Sequence, residues 1–183
     1  MEYAVIGTSS NSAVIAKYSS TLDLQWAKSF GAYTTTTARS IIENNNSGNF
    51  IGLAQASPGS MFGNKDGILF RFNSGGSLLS SFAIGGTNDD DAYSLFLTRN
   101  RDYALSGGSS NLNGDVAFVL VVDSSLSLQW GRTWSSTGGN YQPYHLIELQ
   151  DGSLFFCGDN TSSSGSTFFC GRMDSSGNLM VAK

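Results

Sequence analysis

The chain repeats itself about every 50 residues, and a period of that length constrains the fold more than any other feature. Leu22-Asp23-Leu24-Gln25-Trp26 returns as Leu126-Ser127-Leu128-Gln129-Trp130. A degenerate copy, Leu78-Leu79-Ser80-Ser81-Phe82, lies between them, and Leu179-Met180-Val181-Ala182-Lys183 is a fourth. Such a period marks units that cannot bury an apolar face alone and must stack on their neighbours.

Each unit reads as four short strands. The first strands are Ser40–Glu43, Ser94–Leu97 and His145–Glu148. The second are Tyr3–Gly7, Phe50–Ala54, Tyr103–Gly107 and Leu154–Gly158. The third are Val14–Tyr18, Ile68–Phe72, Phe118–Val122 and Phe168–Met173, and the Leu-Gln-Trp copies form the fourth. Asx and Gly clusters such as Asn73-Ser74-Gly75-Gly76, Asp123-Ser124-Ser125 and Asp174-Ser175-Ser176-Gly177 separate them, because these residues tolerate the positive φ of tight turns. The connections are too short for crossover helices, so neighbouring strands pair antiparallel. The third strands are continuously apolar, which calls for cover on both faces. Four-stranded sheets packed face to face provide it. The fold class expected is therefore all-β, with β-propeller blades of four antiparallel strands. A β-sandwich also buries short strands but does not explain a four-strand repeat. The units fall at 1–31 (partial blade), 38–86, 92–139 and 143–183, and Trp26 and Trp130 are expected at equivalent outer-strand positions, packing between blades.

Ile84-Gly85-Gly86-Thr87-Asn88-Asp89-Asp90-Asp91-Ala92-Tyr93-Ser94, followed by Tyr103-Ala104-Leu105-Ser106-Gly107, Asp115-Val116-Ala117-Phe118-Val119 and Trp130, resembles the SBBP-type β-propeller repeat. The likeness covers nearly the whole chain. The second unit lacks the Trp and the fourth lacks the Asp before its third strand. The resemblance implies propellers of about seven blades on secreted or surface proteins, and no single activity. Three, four, four and four strands make few blades for a closed ring. The expectation is thus a part of a larger propeller, completed by further blades of the same polypeptide or by protein neighbours, and unstable as an isolated monomer.

Composition excludes several classes. Only 13% of the 183 residues are charged, the net charge is −4, and no Lys/Arg run exists, so no nucleic-acid partner is expected. No apolar stretch approaches the roughly 18 residues of a membrane span. The first residues carry no signal-peptide pattern.

Few residues suggest chemistry. His145 is the one histidine and takes a slot held elsewhere by Ser40 and Ser94, with no third group to orient it as a base. No nucleophile elbow or phosphate-cradling loop appears. Asn88, Asp89, Asp90 and Asp91 form the one acidic cluster. It is read as a solvated turn, with Ca²⁺ as the alternative occupant, and no other cofactor is expected. Asp66 and Asp115 read as turn caps, and the pairs Gly85-Gly86 and Gly138-Gly139 as structural. Aligned across repeats, Cys157 matches Ile6, Leu53 and Ser106, while Cys170 matches Ile15, Leu69 and Val119. The two cysteines should then face each other on adjacent strands, as a disulfide or as two buried thiols. Asn45 and Asn160 head N-glycosylation sequons in expected turns.

The leading reading is a non-enzymatic extracellular structural or adhesion module, a glycoprotein that assembles head to tail. The alternative is a carbohydrate-binding or carbohydrate-active propeller, with Tyr93, Tyr144 and His145 at the ligand mouth and Tyr33, Trp134 and Tyr141 near blade ends. A cytosolic interaction scaffold would require free thiols and unmodified sequons.

Overall fold

The computed structural model describes residues 2–31, 34–44, 48–57, 64–110, 116–135 and 139–183. These form fifteen strands and, among the described residues, no helix. The first sheet holds β1 (Tyr3–Ser9), β2 (Ser12–Tyr18) and β3 (Leu24–Phe30). The second holds β4 (Thr35–Asn44), β5 (Asn49–Ser57), β6 (Asp66–Phe72) and β7 (Leu78–Ile84). The third holds β8 (Asp89–Leu97), β9 (Tyr103–Ser110), β10 (Val116–Val122) and β11 (Leu128–Trp134). The fourth holds β12 (Asn140–Glu148), β13 (Leu154–Ser162), β14 (Gly165–Met173) and β15 (Leu179–Ala182). Strand order follows the chain within every sheet, as antiparallel meanders of propeller-blade type require.

The turn before each fourth strand is one structure built four times. Asn73 Oδ1 accepts the amides of Gly75 and Ser77, Asp123 Oδ1 those of Ser125 and Ser127, and Asp174 Oδ1 those of Ser176 and Asn178. Ser19 Oγ does the same for Thr21 and Asp23. The side chain mimics a backbone turn. The fourth residue of each turn takes positive φ: Leu22 at 64°, Gly76 at 78°, Leu126 at 68° and Gly177 at 81°. A bulge follows each turn, leaving Gln25, Leu79, Gln129 and Met180 unpaired between strands three and four.

The chain divides into two compact units, Met1–Ala92 and Tyr93–Lys183. In the first, Ala13 and Ile15 pack with Phe50, Ala54, Phe70 and Phe72, and Phe30 lies 4.3 Å from Phe72, centroid to centroid. In the second, Ala104, Val119 and Val121 pack with Leu146, Leu154, Phe156, Phe169 and Met173.

The two expected tryptophans are equivalent. The Trp26 ring lies over Gly76 and the Trp130 ring over Gly177. A Cβ on either glycine would stand 2.7–2.8 Å from the indole. Both glycines are thus required twice, by backbone conformation and by close approach.

Cross-strand register agrees with the repeat alignment. Ile6 faces Ile15, Leu53 faces Leu69, Ser106 faces Val119, and Cys157 faces Cys170. Burial differs for the last pair. Leu53, Leu69 and Val119 are fully buried, whereas both cysteines are only half-buried. Alternation along β13 and β14 explains this. Leu154, Phe156, Phe169 and Met173 occupy the packed face, so Cys157 and Cys170 lie on the opposite one, with exposed Phe168.

Candidate functional site

The second unit carries a cleft of about 220 Å³, built from three hairpin turns and one bulge. The β8–β9 turn contributes Thr98, Asn100 and Asp102, and the β12–β13 turn contributes Glu148 and Gly152. Ser175 comes from the β14–β15 turn, and β11 supplies Gln129 and Trp130.

Each wall has a local cause. Thr98 accepts the Arg101 amide on its carbonyl and the Asp102 amide on Oγ1, which folds Asn100 and Arg101 outward, Arg101 at φ 67°. Gln129 is the bulged residue of its sheet, so its amide is re-aimed, and its Nε2 donates to Asp123 Oδ2 at 3.1 Å. Glu148 accepts the Arg99 backbone amide at 2.8 Å, with the Arg99 guanidinium Nε 4.0 Å away. Trp130 is held in place by its close approach to Gly177.

The equivalent indoles differ in one respect. Trp26 donates its ring N–H to the Ser74 carbonyl at 3.1 Å. Trp130 makes no side-chain hydrogen bond among the described residues, and it lines the cleft instead.

The electrostatics of the cleft follow from burial. Desolvation, assisted by the charge of Asp123, raises the Asp102 carboxyl above its ordinary value. Asp123 moves the other way, lowered chiefly by the Ser125 hydroxyl and the Ser127 amide that it accepts in capping its turn. The cleft therefore offers the open part of one indole, whose ring lies against Gly177 and carries the Arg132 guanidinium 6.0 Å from its centroid, among amides, carboxyls and hydroxyls. Such an arrangement takes a polar ligand with an apolar face.

The residues singled out from sequence are distributed elsewhere. Tyr93 and Tyr144 do meet, edge to face at 4.9 Å, and Tyr144 donates to Gln142. His145 is exposed and lies across from Cys157 in register. Trp134 stacks on Phe156 at 5.0 Å and Tyr141 meets Phe169 edge-on at 5.1 Å. These four side chains wall a smaller, apolar pocket of about 160 Å³. Trp134 and Tyr141 thus serve packing within the unit.

Asn88 is exposed, while Asp89, Asp90 and Asp91 begin β8. Successive strand residues point to opposite faces, so Asp90 turns away from its two neighbours. Asp90 Oδ2 accepts the Gly86 amide at 2.6 Å, and its own amide donates to the Lys65 carbonyl. Asp66, fully buried, crowds Gly85 together with Asp90. No group of three metal-ligating side chains occurs among the described residues.

Asn160 lies in strand β13, not in the expected turn, because the hairpin tightens to Ser162–Gly165. Its side-chain oxygen is buried against Gly139. Asn45, Tyr33, Asp115 and Gly138 lie outside the described residues.

Sequence reasoning missed the Trp130 cleft, apart from Trp130 itself as a packing residue. One signal was present. Where a repeat ends in Leu-Gln-Trp, the following repeat has Gly at the fourth turn position; after Phe82 that position is Leu126.

No protein-family model and no curated protein matches this chain. Among solved structures it is similar to MPT-4, a mannose phosphorylase from Leishmania mexicana in complex with phosphate ion. The TM-score is 0.53 at 9% identity, over 98% of this chain and 66% of that one. This chain therefore spans just under two thirds of that protein. The likeness is one of fold alone, and it agrees with the propeller-like all-β architecture described above.

Proposed function

We propose that the chain is a non-enzymatic, exported propeller module of SBBP-like type that binds carbohydrate in the Trp130 cleft and serves adhesion. The observation that carries this reading is the cleft's chemistry. The Trp130 indole provides apolar contact for the edge of a sugar ring, and Asn100, Gln129, Asp102 and Glu148 provide planar donors and acceptors around it. A fold shared with a mannose phosphorylase is consistent with a carbohydrate ligand.

The test is binding of the chain to an immobilised panel of neutral oligosaccharides, with tryptophan emission followed in solution for each hit. At least one oligosaccharide should bind and shift the emission. Gln129→Ala and Asn100→Ala, both at exposed positions, should weaken that binding tenfold or so, the loss of about 1.4 kcal/mol. Absence of binding across the panel, or unchanged affinity in both variants, overturns the reading.

A second reading, assembly with neighbouring copies, is favoured by one patch. The outer face of the fourth sheet exposes Phe168 at 70% and, four residues further along the strands, Ile147 at 48% and Val181 at 50%.

A further inference from the structure

We propose that Cys157 and Cys170 form a reversible cross-strand disulfide that clasps β13 to β14. The backbone hydrogen bonds determine whether such a bond can close. Cys170 donates its amide to the Lys183 carbonyl at 2.8 Å and accepts the Lys183 amide at 2.9 Å. Both of its backbone groups therefore point toward the β15 side. A strand residue presents its N–H and C=O to the same neighbour, so toward β13 Cys170 has none to offer. Its register partner Cys157 consequently forms a non-hydrogen-bonded pair with it. In such pairs the Cα atoms stand about 4.5 Å apart and the side chains come closest. That lies at the short end of the disulfide range, roughly 4.4–6.8 Å.

Three further observations agree. The chain has only two cysteines, and they fall on one register pair. In the other three repeats the same pair is Ile6/Ile15, Leu53/Leu69 and Ser106/Val119, so both members change together. Both thiols are free and half-buried, on the face away from the core. A small disulfide oxidant can reach them there. Although His145 stands in the same cross-strand row, the three do not form a metal-holding group.

The chemistry is thiol–disulfide exchange. One cysteine thiolate attacks a low-molecular-weight disulfide such as oxidised glutathione. One glutathione thiolate leaves and takes up a proton. The second cysteine, having released its proton, attacks the mixed disulfide and expels the second glutathione. The two thiols lose two electrons and two protons in all, and the oxidant gains both as two thiols. A disulfide on this half-buried outer face is open to thiol attack, and accessible disulfides are among the more readily reduced. The clasp is thus a redox-sensitive one.

The test uses the whole chain equilibrated in glutathione buffers of stepped redox ratio, quenched with an alkylating agent, and read by intact mass, peptide mapping and thermal melt. In oxidising buffer the mass should fall by that of two hydrogens. A single peptide should link Cys157 to Cys170, and the melting temperature should rise by roughly 5–10 °C. Cys157→Ser and Cys170→Ser should each stop at the glutathione adduct and show no such rise. Persistent adducts on the unmutated chain, disulfides between chains, or two alkylatable thiols in the most oxidising buffer each overturn the proposal. The result is independent of sugar binding, since neither cysteine lines the Trp130 cleft.

Discussion

Replacing Gly177 by Ala tests the contact that holds the second unit's cleft in shape. Gly177 sits at φ 81°. An alanine held there costs about 1–2 kcal/mol on backbone grounds alone. Its Cβ would also stand 2.7, 2.9 and 3.1 Å from three indole carbons of Trp130, against 3.4–4 Å for ordinary contact. The ring must retreat by roughly 0.7 Å or more, and overpacking of that kind costs about 1–3 kcal/mol. The expected total is about 2–5 kcal/mol, a large share of a typical domain's stability. Denaturant melts followed by circular dichroism measure it. The decisive version is a double-mutant cycle. Once Trp130→Ala has removed the ring, Gly177→Ala should cost only the backbone part. The coupling should be about 1–3 kcal/mol. Equal costs in both backgrounds would refute the steric account and leave only the turn. Gly76 and Trp26 offer the same cycle in the first unit.

Three other expectations are testable on the same material. Asp102 is raised by burial, so its contribution is complete below its unfolded value and is lost as pH rises through its folded one. Asp102→Asn should therefore raise the melting temperature slightly at neutral pH, with no gain in acid. Asp174 is lowered, first by the Asn178 side chain and then by the Asn178 amide, so its contribution is present above its unfolded value and lost as pH falls through its folded one. Asp174→Ala should be less stable at pH 7 and converge with the wild type in acid; parallel curves would contradict this. If Phe168 seats a neighbouring copy, Phe168→Lys should reduce self-association in sedimentation velocity by tenfold or more, and an unchanged distribution would remove the patch from consideration.

Strand order and register were legible because the signals are local. Asn73, Asp123 and Asp174 each cap a turn of the same length, and a fixed turn determines which residues face one another. Cys157 and Cys170 could be paired from a different turn: they lie symmetrically about Ser163-Ser164 at the centre of the β13–β14 hairpin, as Ile6 and Ile15 do about Ser10-Asn11. Their burial could not be read the same way. Averaging over repeats assigns every blade two covered faces, yet the cysteine face of β13 and β14 carries 70%-exposed Phe168. The cleft was illegible for another reason. Asn100, Gln129, Glu148 and Ser175 sit in four separate segments, and each looks like ordinary turn or edge chemistry by itself. Their convergence depends on how two sheets stack, which no periodicity encodes. Likewise Asn88 to Asp91 look like a cluster in one dimension, but strand geometry separates Asp90 from Asp89 and Asp91.

The tryptophan-on-glycine contact has a consequence for how such an array can grow. Trp26 and Trp130 belong to the first and third sheets, Gly76 and Gly177 to the second and fourth. A donor sheet itself carries a leucine, Leu22 or Leu126, at the position where an acceptor carries glycine. Copying one sheet in tandem would bring an indole onto a leucine, while copying two together preserves every contact. The unit of inheritance is then a pair of sheets, and lineages of this fold should gain or lose blades two at a time.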